Sequence, residues 1–284
     1  MFPDYPFTSN FFDKDGHRLH YVDEGDGPVI VMVHGNPTWS YYYRNLISML
    51  RSDYRVIAID HIGCGLSDKP GDYPYCLSRH IENLESLLDH LSISRFSVVV
   101  HDWGGAIGMG CAVKRVQDVD KVILMNTAAF RSRRIPLRIQ VCRIPIIGEI
   151  IVRLFNGFAW PAQFMAVVNR MLPETASAYL APYNSWKNRV AIFRFVEDIP
   201  MHAGHRSYNT LVEIEQRLPL LRSAHIPLLI LWGGQDFCFN DQFYEGWKRR
   251  FPEAESHYFK DGGHYILEDK FKEIGPIIHN FLTR

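Results

Sequence analysis

Three observations predict an α/β fold with a mostly parallel central sheet flanked by helices. Short apolar runs recur along the chain, amphipathic helical stretches lie between them, and chemically able residues follow the ends of the runs. Val29–Val33, Val56–Ile59, Ser97–Val100, Val122–Met125 and Leu228–Leu231 do not alternate with polar residues, which is the pattern of strands buried on both faces of a parallel sheet. Leu77, Ile81, Leu84, Leu87, Leu88 and Leu91 recur at three- and four-residue spacing and give one apolar stripe able to cover that sheet. Strands alternating with such helices define the class.

The alternation stops near Phe130 and resumes near Pro227. Between them the chain is rich in Arg, Trp, Phe and Tyr and is interrupted by Pro136, Pro145, Pro161, Pro173 and Pro182, an interval that favours several short helices over one long one. Residues 130–214 are therefore expected to form an inserted helical cap, with the core built from residues 1–129 and 215–284. The stretch from Arg131 to Arg153 sets six arginines against Glu149, with Ile and Val between them. It reads as a solvated cap face over an apolar lining, ahead of a membrane-surface or partner-docking role.

At 284 residues the chain is long enough for one large domain or a domain with an insertion. Lys plus Arg equals Asp plus Glu at 31 each, so no global field attracts nucleic acid. Five scattered cysteines, odd in number, fit reduced thiols and a cytoplasmic location better than a disulfide framework. The opening residues suggest no signal peptide, and no run of 18 apolar residues exists to span a bilayer, so no stable membrane insertion is expected. There is no phosphate-cradling glycine loop, and the 13 histidines show no HExxH or similar zinc spacing. Neither a metal nor an organic cofactor is expected.

The stretch Ser97-Val98-Val99-Val100-His101-Asp102-Trp103-Gly104-Gly105 reads as a strand, a sharp turn and a small-residue helix that continues through Ala106 to Val113. Glycine after a nucleophile lets strand and helix pack closely around a strained turn. The residue at the turn is Asp102, a carboxylate already ionised at neutral pH, which attacks carbon without first losing a proton to a base. Val100 occupies the place of the first glycine in the G-x-S-x-G pattern, so the signal is incomplete. An ordinary turn with Asp102 as N-cap remains the alternative on this stretch alone.

Functional groups of a parallel sheet gather at the carboxyl ends of its strands. His34-Gly35-Asn36-Pro37 follows the first run and Asp102-Trp103 the third. Trp232-Gly233-Gly234-Gln235-Asp236 follows the run ending at Leu231, and Asp261-Gly262-Gly263-His264 follows a last candidate strand, Ser256–Phe259. Asp102, Asp236 and His264 thus come in the chain order nucleophile, acid, histidine. Asn126 is the rival for the acid position but cannot carry the charge that stabilises an imidazolium. Trp103 has core packing as its alternative reading, and His34 reads as structural.

At this point the chain resembles the haloalkane dehalogenase branch of the α/β-hydrolase superfamily. His34-Gly35-Asn36-Pro37-Thr38 and His101-Asp102-Trp103-Gly104-Gly105 are similar to that branch's motifs, as is the turn Asp60-His61-Ile62-Gly63-Cys64-Gly65-Leu66-Ser67, taken as scaffold. The resemblance implies the α/β-hydrolase fold, Asp102 as nucleophile, His264 as base, Asp236 as its orienting acid, and Asn36 with Trp103 as the pair holding a leaving halide. The expected reaction is cleavage of carbon–halogen bonds through an alkyl-enzyme ester, with backbone N–H groups of Asn36 and Trp103 as oxyanion donors in the hydrolysis step. The physics agrees, because an indole N–H and an amide supply donors to an anion as it develops.

Asn36-Pro37-Thr38-Trp39-Ser40-Tyr41-Tyr42-Tyr43-Arg44 is also similar to the dehalogenase-like enzymes of bacterial long-chain olefin synthesis, which decarboxylate β-lactones. In that alternative Asp102 opens the ring, and Asn36 with Trp103 holds a carboxylate. Epoxide hydrolysis ranks third; it would use two of the cap tyrosines Tyr179, Tyr183 and Tyr208. A catalytically silent binding protein of the same fold is disfavoured, since a binding module has no need of all five site residues. The expected substrate is small and apolar, and a homo-oligomer or association with other enzymes of a pathway stays open.

Overall fold

The computed structural model describes residues 2–284. Eight strands form one sheet: β1 (Ser9–Lys14), β2 (His17–Glu24), β3 (Val29–Val33), β4 (Arg55–Ile59), β5 (Phe96–Asp102), β6 (Val119–Thr127), β7 (Leu228–Gly233) and β8 (Glu255–Phe259). Their spatial order is β1-β2-β4-β3-β5-β6-β7-β8. From β4 across to β8 every pairing is parallel, whereas β1 and β2 run antiparallel. The five strands expected from the apolar runs and the last candidate strand, Ser256–Phe259, are all present. The hairpin of β1 and β2 was not foreseen; its turn is Asp15-Gly16, with φ of +54° and +79°, the conformation a tight hairpin demands.

Register sets the position of the site. Val33, Val100, Leu124 and Ile230 stand in one row across β3, β5, β6 and β7. The residues that follow them in the chain therefore emerge side by side at one edge of the sheet. All seven residues of β5 are buried, which is why that strand shows no polar alternation.

Three helices matter for the site: α1 (Arg44–Leu50), α2 (Leu77–His90) and α3 (Trp103–Lys114). From Gly104 to Val113 every residue of α3 is buried, with the sheet on one side and α2 and the helix Tyr208–Ser223 on the other. Only small residues permit that approach. A Cβ at Gly104 would strike the carbonyls of Val33 and His34, and one at Gly105 would strike Thr127. A Cβ at Gly108 would meet Cγ1 of Val100, so the room for the valine at the incomplete motif position is supplied from the facing helix.

Between β6 and β7 there is no strand. The prolines sit where short helices begin or break: Pro136 precedes Leu137–Cys142, Pro161 lies in the first turn of Ala159–Met165, and Pro173 opens Pro173–Leu180. In a first turn proline forfeits no intrahelical hydrogen bond. The boundary expected at 214/215 falls inside the helix Tyr208–Ser223, which is one unbroken element packed on α2 and α3. Among the described residues no helix is long and apolar enough to cross a membrane.

Candidate active site

Asp102 ends β5 and opens α3 with φ of +52°, a conformation costly for any residue with a Cβ and found at functional turns. The turn projects its carboxylate toward the β3 loop, where Oδ1 accepts the backbone N–H of Asn36 at 2.6 Å. Gly35 passes so close that any side chain there would overlap the Asp102 carboxylate. The Thr127 hydroxyl donates to the Asp102 carbonyl from the neighbouring strand.

His264 follows β8 on the loop carrying Gly262 and Gly263. Its Nδ1 lies 2.7 Å from Oδ2 of Asp236, and its Nε2 lies 3.5 Å from Oδ2 of Asp102. Asp236 Oδ1 accepts the backbone N–H groups of Cys238 at 2.6 Å and Phe239 at 3.0 Å. Asn126 donates Nδ2–H to Oδ2 of Asp236 at 3.0 Å. It also anchors the Gly233 backbone, to which it donates at 3.0 Å and from which it accepts at 2.8 Å. The structure thus places Asn126 behind the acid and in contact with it. All three carboxylate-side partners being fixed, Asp236 presents one oxygen to the imidazole in a single direction.

Charge in this buried cluster follows from its geometry. Burial pulls the His264 pKa down, but Asp236 and Asp102 on either side outweigh it and raise it to about 10. Burial pushes the Asp102 pKa up, and the hydrogen bond and charge of His264, with the Asn36 N–H, carry it below its usual value. The two shifts run in opposite directions, and both favour a carboxylate facing an imidazolium. His101 stays neutral, its pKa lowered to about 3 by burial and by the adjacent His264 charge. Its Nε2 donates to the His264 carbonyl at 2.8 Å, because a carbonyl only accepts. Its ring also stacks on Tyr42 at 4.4 Å. It holds the loop bearing His264, a role that sequence reasoning did not assign.

Asn36, Asp102, Trp103 and His264 are among the residues lining a cavity of about 460 Å³. Its apolar lining includes Phe130, Ile139, Ile151, Phe158, Val196 and Phe243. Asn36 Nδ2 donates to the carbonyl of Ile192 at 3.1 Å, while its Oδ1 is buried with no partner. Trp103 packs against Phe195, with ring centroids 5.4 Å apart, and lines the cavity rather than serving only as core. His34 bonds to the carbonyl of Gly35 at 2.6 Å and accepts the His61 N–H at 3.0 Å. Those bonds join the β3 loop to the loop after β4. In that second loop the buried Asp60 takes His20 at 2.8 Å and the N–H groups of Ser40 and Leu66 at 2.7 and 2.8 Å.

Tyr179, Tyr183 and Tyr208 do not line the cavity. Tyr179 donates to Glu268, and Tyr183 donates to the carbonyl of Thr38. Neither is oriented to protonate an epoxide. Among the described residues no three His, Cys, Asp or Glu side chains are grouped to hold a metal ion.

The family pattern described as the alpha/beta hydrolase fold matches residues 28–271. The chain belongs to the alpha/beta hydrolase fold family. A protein of Shewanella oneidensis named cis-3-alkyl-4-alkyloxetan-2-one decarboxylase is 44% identical, covering 98% of this chain and 89% of the relative. A protein of the same name from Xanthomonas campestris is 41% identical over 100% and 98% of the two chains. Haloalkane dehalogenase 2 of Mycobacterium bovis is 32% identical over 96% and 94%. The solved structure of the haloalkane dehalogenase DatA from Agrobacterium tumefaciens superposes with a TM-score of 0.87 at 26% identity, covering 98% and 96%. The chain is an enzyme of this family. The relatives reverse the order of the two leading readings, since the β-lactone decarboxylases are more similar to it than the dehalogenase.

Proposed function

We propose that this protein decarboxylates β-lactones of the cis-3-alkyl-4-alkyloxetan-2-one class, giving an internal alkene and carbon dioxide. The observation that carries the reading is its 44% and 41% identity, over nearly its whole length, to two decarboxylases of that name. A mostly apolar cavity of about 460 Å³ with the Asp102 carboxylate in its wall suits a dialkyl substrate.

In this reading an Asp102 oxygen attacks C4 of the ring from the face opposite the ring oxygen. The C4–O bond breaks, and the ring carboxyl leaves as a carboxylate still attached through C3. Asn36 and Trp103 supply the donors to that anion. The bond from C3 to the carboxylate carbon then breaks, its electron pair forms the alkene, and the C4–Asp102 bond returns its pair to the aspartate. Carbon dioxide departs, and no water or proton is consumed. Inversion at C4 followed by anti fragmentation converts a cis ring into a cis alkene. The His264 imidazolium, oriented by Asp236, stabilises Asp102 as it leaves. The helical stretch between β6 and β7 acts as a cap that keeps the site dry. Five free cysteines support a reducing, cytoplasmic setting.

Haloalkane cleavage is the second reading, favoured by the 0.87 TM-score to DatA. It would use the same five residues and needs His264 neutral to activate water. Ester formation removes the Asp102 charge and so lowers the basicity of His264 at that step. Product analysis separates the two. Purified protein given a cis-dialkyl β-lactone is expected to release alkene, with loss of roughly 10⁴-fold or more in Asp102→Ala. Halide release from bromoalkanes, with no alkene from the lactone, would reverse the assignment.

A further inference from the structure

We infer that the outer face of the helical stretch 133–172 is a docking surface for an anionic lipid bilayer, and that the substrate cavity opens within it. Of the seventeen large apolar side chains exposed among the described residues, twelve lie between residues 137 and 172. Such a concentration marks an interaction surface rather than ordinary scatter. Leu137, Ile146 and Phe155 are 74%, 73% and 71% exposed. The stretch does supply the apolar lining the sequence suggested, through Ile135, Ile139 and Ile151, but Ile144, Ile146, Ile147 and Ile150 are exposed on its outer side.

The charge of the same stretch decides the occupant. Residues 133–172 carry six arginines and one acidic residue, Glu149, in a chain whose formal net charge is zero. Glu149 is already paired with Arg153. Protruding Leu, Ile, Phe and Trp mixed with unneutralised arginine is the chemistry of a segment lying in the interface of an anionic membrane. A second protein would have to answer these arginines with acidic side chains of its own.

The cavity is continuous with this face. Arg134, Arg138 and Val141 are exposed and also line it. Arg138 reaches Met165 on the facing helix at 3.4 Å, and that helix continues the patch through Trp160 and Phe164, whose rings meet at 5.2 Å. A bilayer seated here would deliver an apolar substrate to the cavity without passage through water. The inference rests on the surface alone and stands whichever reaction the site performs.

Flotation with vesicles tests it without an activity readout. The full chain is expected to float with vesicles containing phosphatidylglycerol and weakly with phosphatidylcholine alone. Ile146→Ser with Phe155→Ser should lower the bound fraction about tenfold or more, and Arg133→Glu with Arg170→Glu about tenfold on anionic vesicles only. Thermal melting of each variant at the wild-type temperature shows that the fold is kept. No flotation, or flotation insensitive to both pairs, overturns the proposal. So does a defined oligomer in solution that Ile146→Ser with Phe155→Ser converts to monomer, which would assign the face to contact between copies.

Discussion

Asn126 and His264 share one oxygen of Asp236: the amide donates to Oδ2 at 3.0 Å and His264 Nδ1 meets the same atom at 2.7 Å. The residue that looked in sequence like a rival for the acid is instead its support. It also pins Gly233, the last residue of β7, so the strand end and the acid are held by one buried side chain.

Replacing Asn126 with Ala should therefore disturb both fold and site. Loss of the buried hydrogen bonds is expected to cost on the order of 2 kcal/mol in urea unfolding. Turnover should fall about ten- to a hundredfold as the imidazole loses its fixed direction. Unchanged turnover would show that Asp236 is held well enough by the Cys238 and Phe239 N–H groups alone.

His264→Phe separates the two chemistries. With a bromoalkane the variant should accumulate a covalent ester on Asp102, seen as added intact mass, because water attack lacks its base. With a β-lactone it should still release alkene, at a reduced rate, since no step needs water. A trapped lactone adduct that never yields alkene would place His264 inside the decarboxylation step itself.

Stability should carry a signature of the buried imidazolium. The folded pKa of His264, about 10, lies above the ordinary 6.5. Its pairing with Asp236 and Asp102 is therefore fully stabilising below about pH 6.5 and is lost as the pH rises toward about 10. Urea midpoints of the wild type should fall across that window, and the fall should be smaller in His264→Phe. Parallel curves for the two proteins would contradict the charge assignment.

The contact between Val100 and the bare backbone of Gly108 is a matched pair. Gly108→Val should destabilise by about 1–3 kcal/mol through overpacking against Val100. Val100→Ala should recover part of that loss in the double variant, giving a coupling that a double-mutant cycle measures.

How much of this was legible beforehand depended on what kind of signal each element carries. The parallel strands declared themselves because burial on both faces leaves unbroken Val, Ile and Leu runs, as in Val29–Val33 and Val122–Met125. The β1–β2 hairpin lies at the sheet edge, where β1 buries no residue fully, so its apolar signal was faint and only Asp15-Gly16 marked it. Asp102, Asp236 and His264 were legible because each follows a strand end, and the row of register brings those ends together. Asn126 and His101 act through Asp236 and the His264 backbone, contacts across 110 and 163 residues of chain that no local pattern encodes. The outward turn of Ile146 and Ile147 was likewise hidden, since composition does not reveal which side of a short helix faces the solvent.

The hydrogen bond from Asn36 to the Ile192 carbonyl bears on how such enzymes can be recombined. The Asn36 amide, which the proposed reaction assigns to the departing anion, is oriented by a backbone carbonyl from the helical stretch between β6 and β7, so that stretch is no interchangeable module. A graft of another relative's segment onto this core would have to present a carbonyl at the position of Ile192. Without it, a correctly folded chimera would keep Asp102 in place and lose the aim of Asn36, and under the proposed reaction its turnover would fall although its carboxylate is intact.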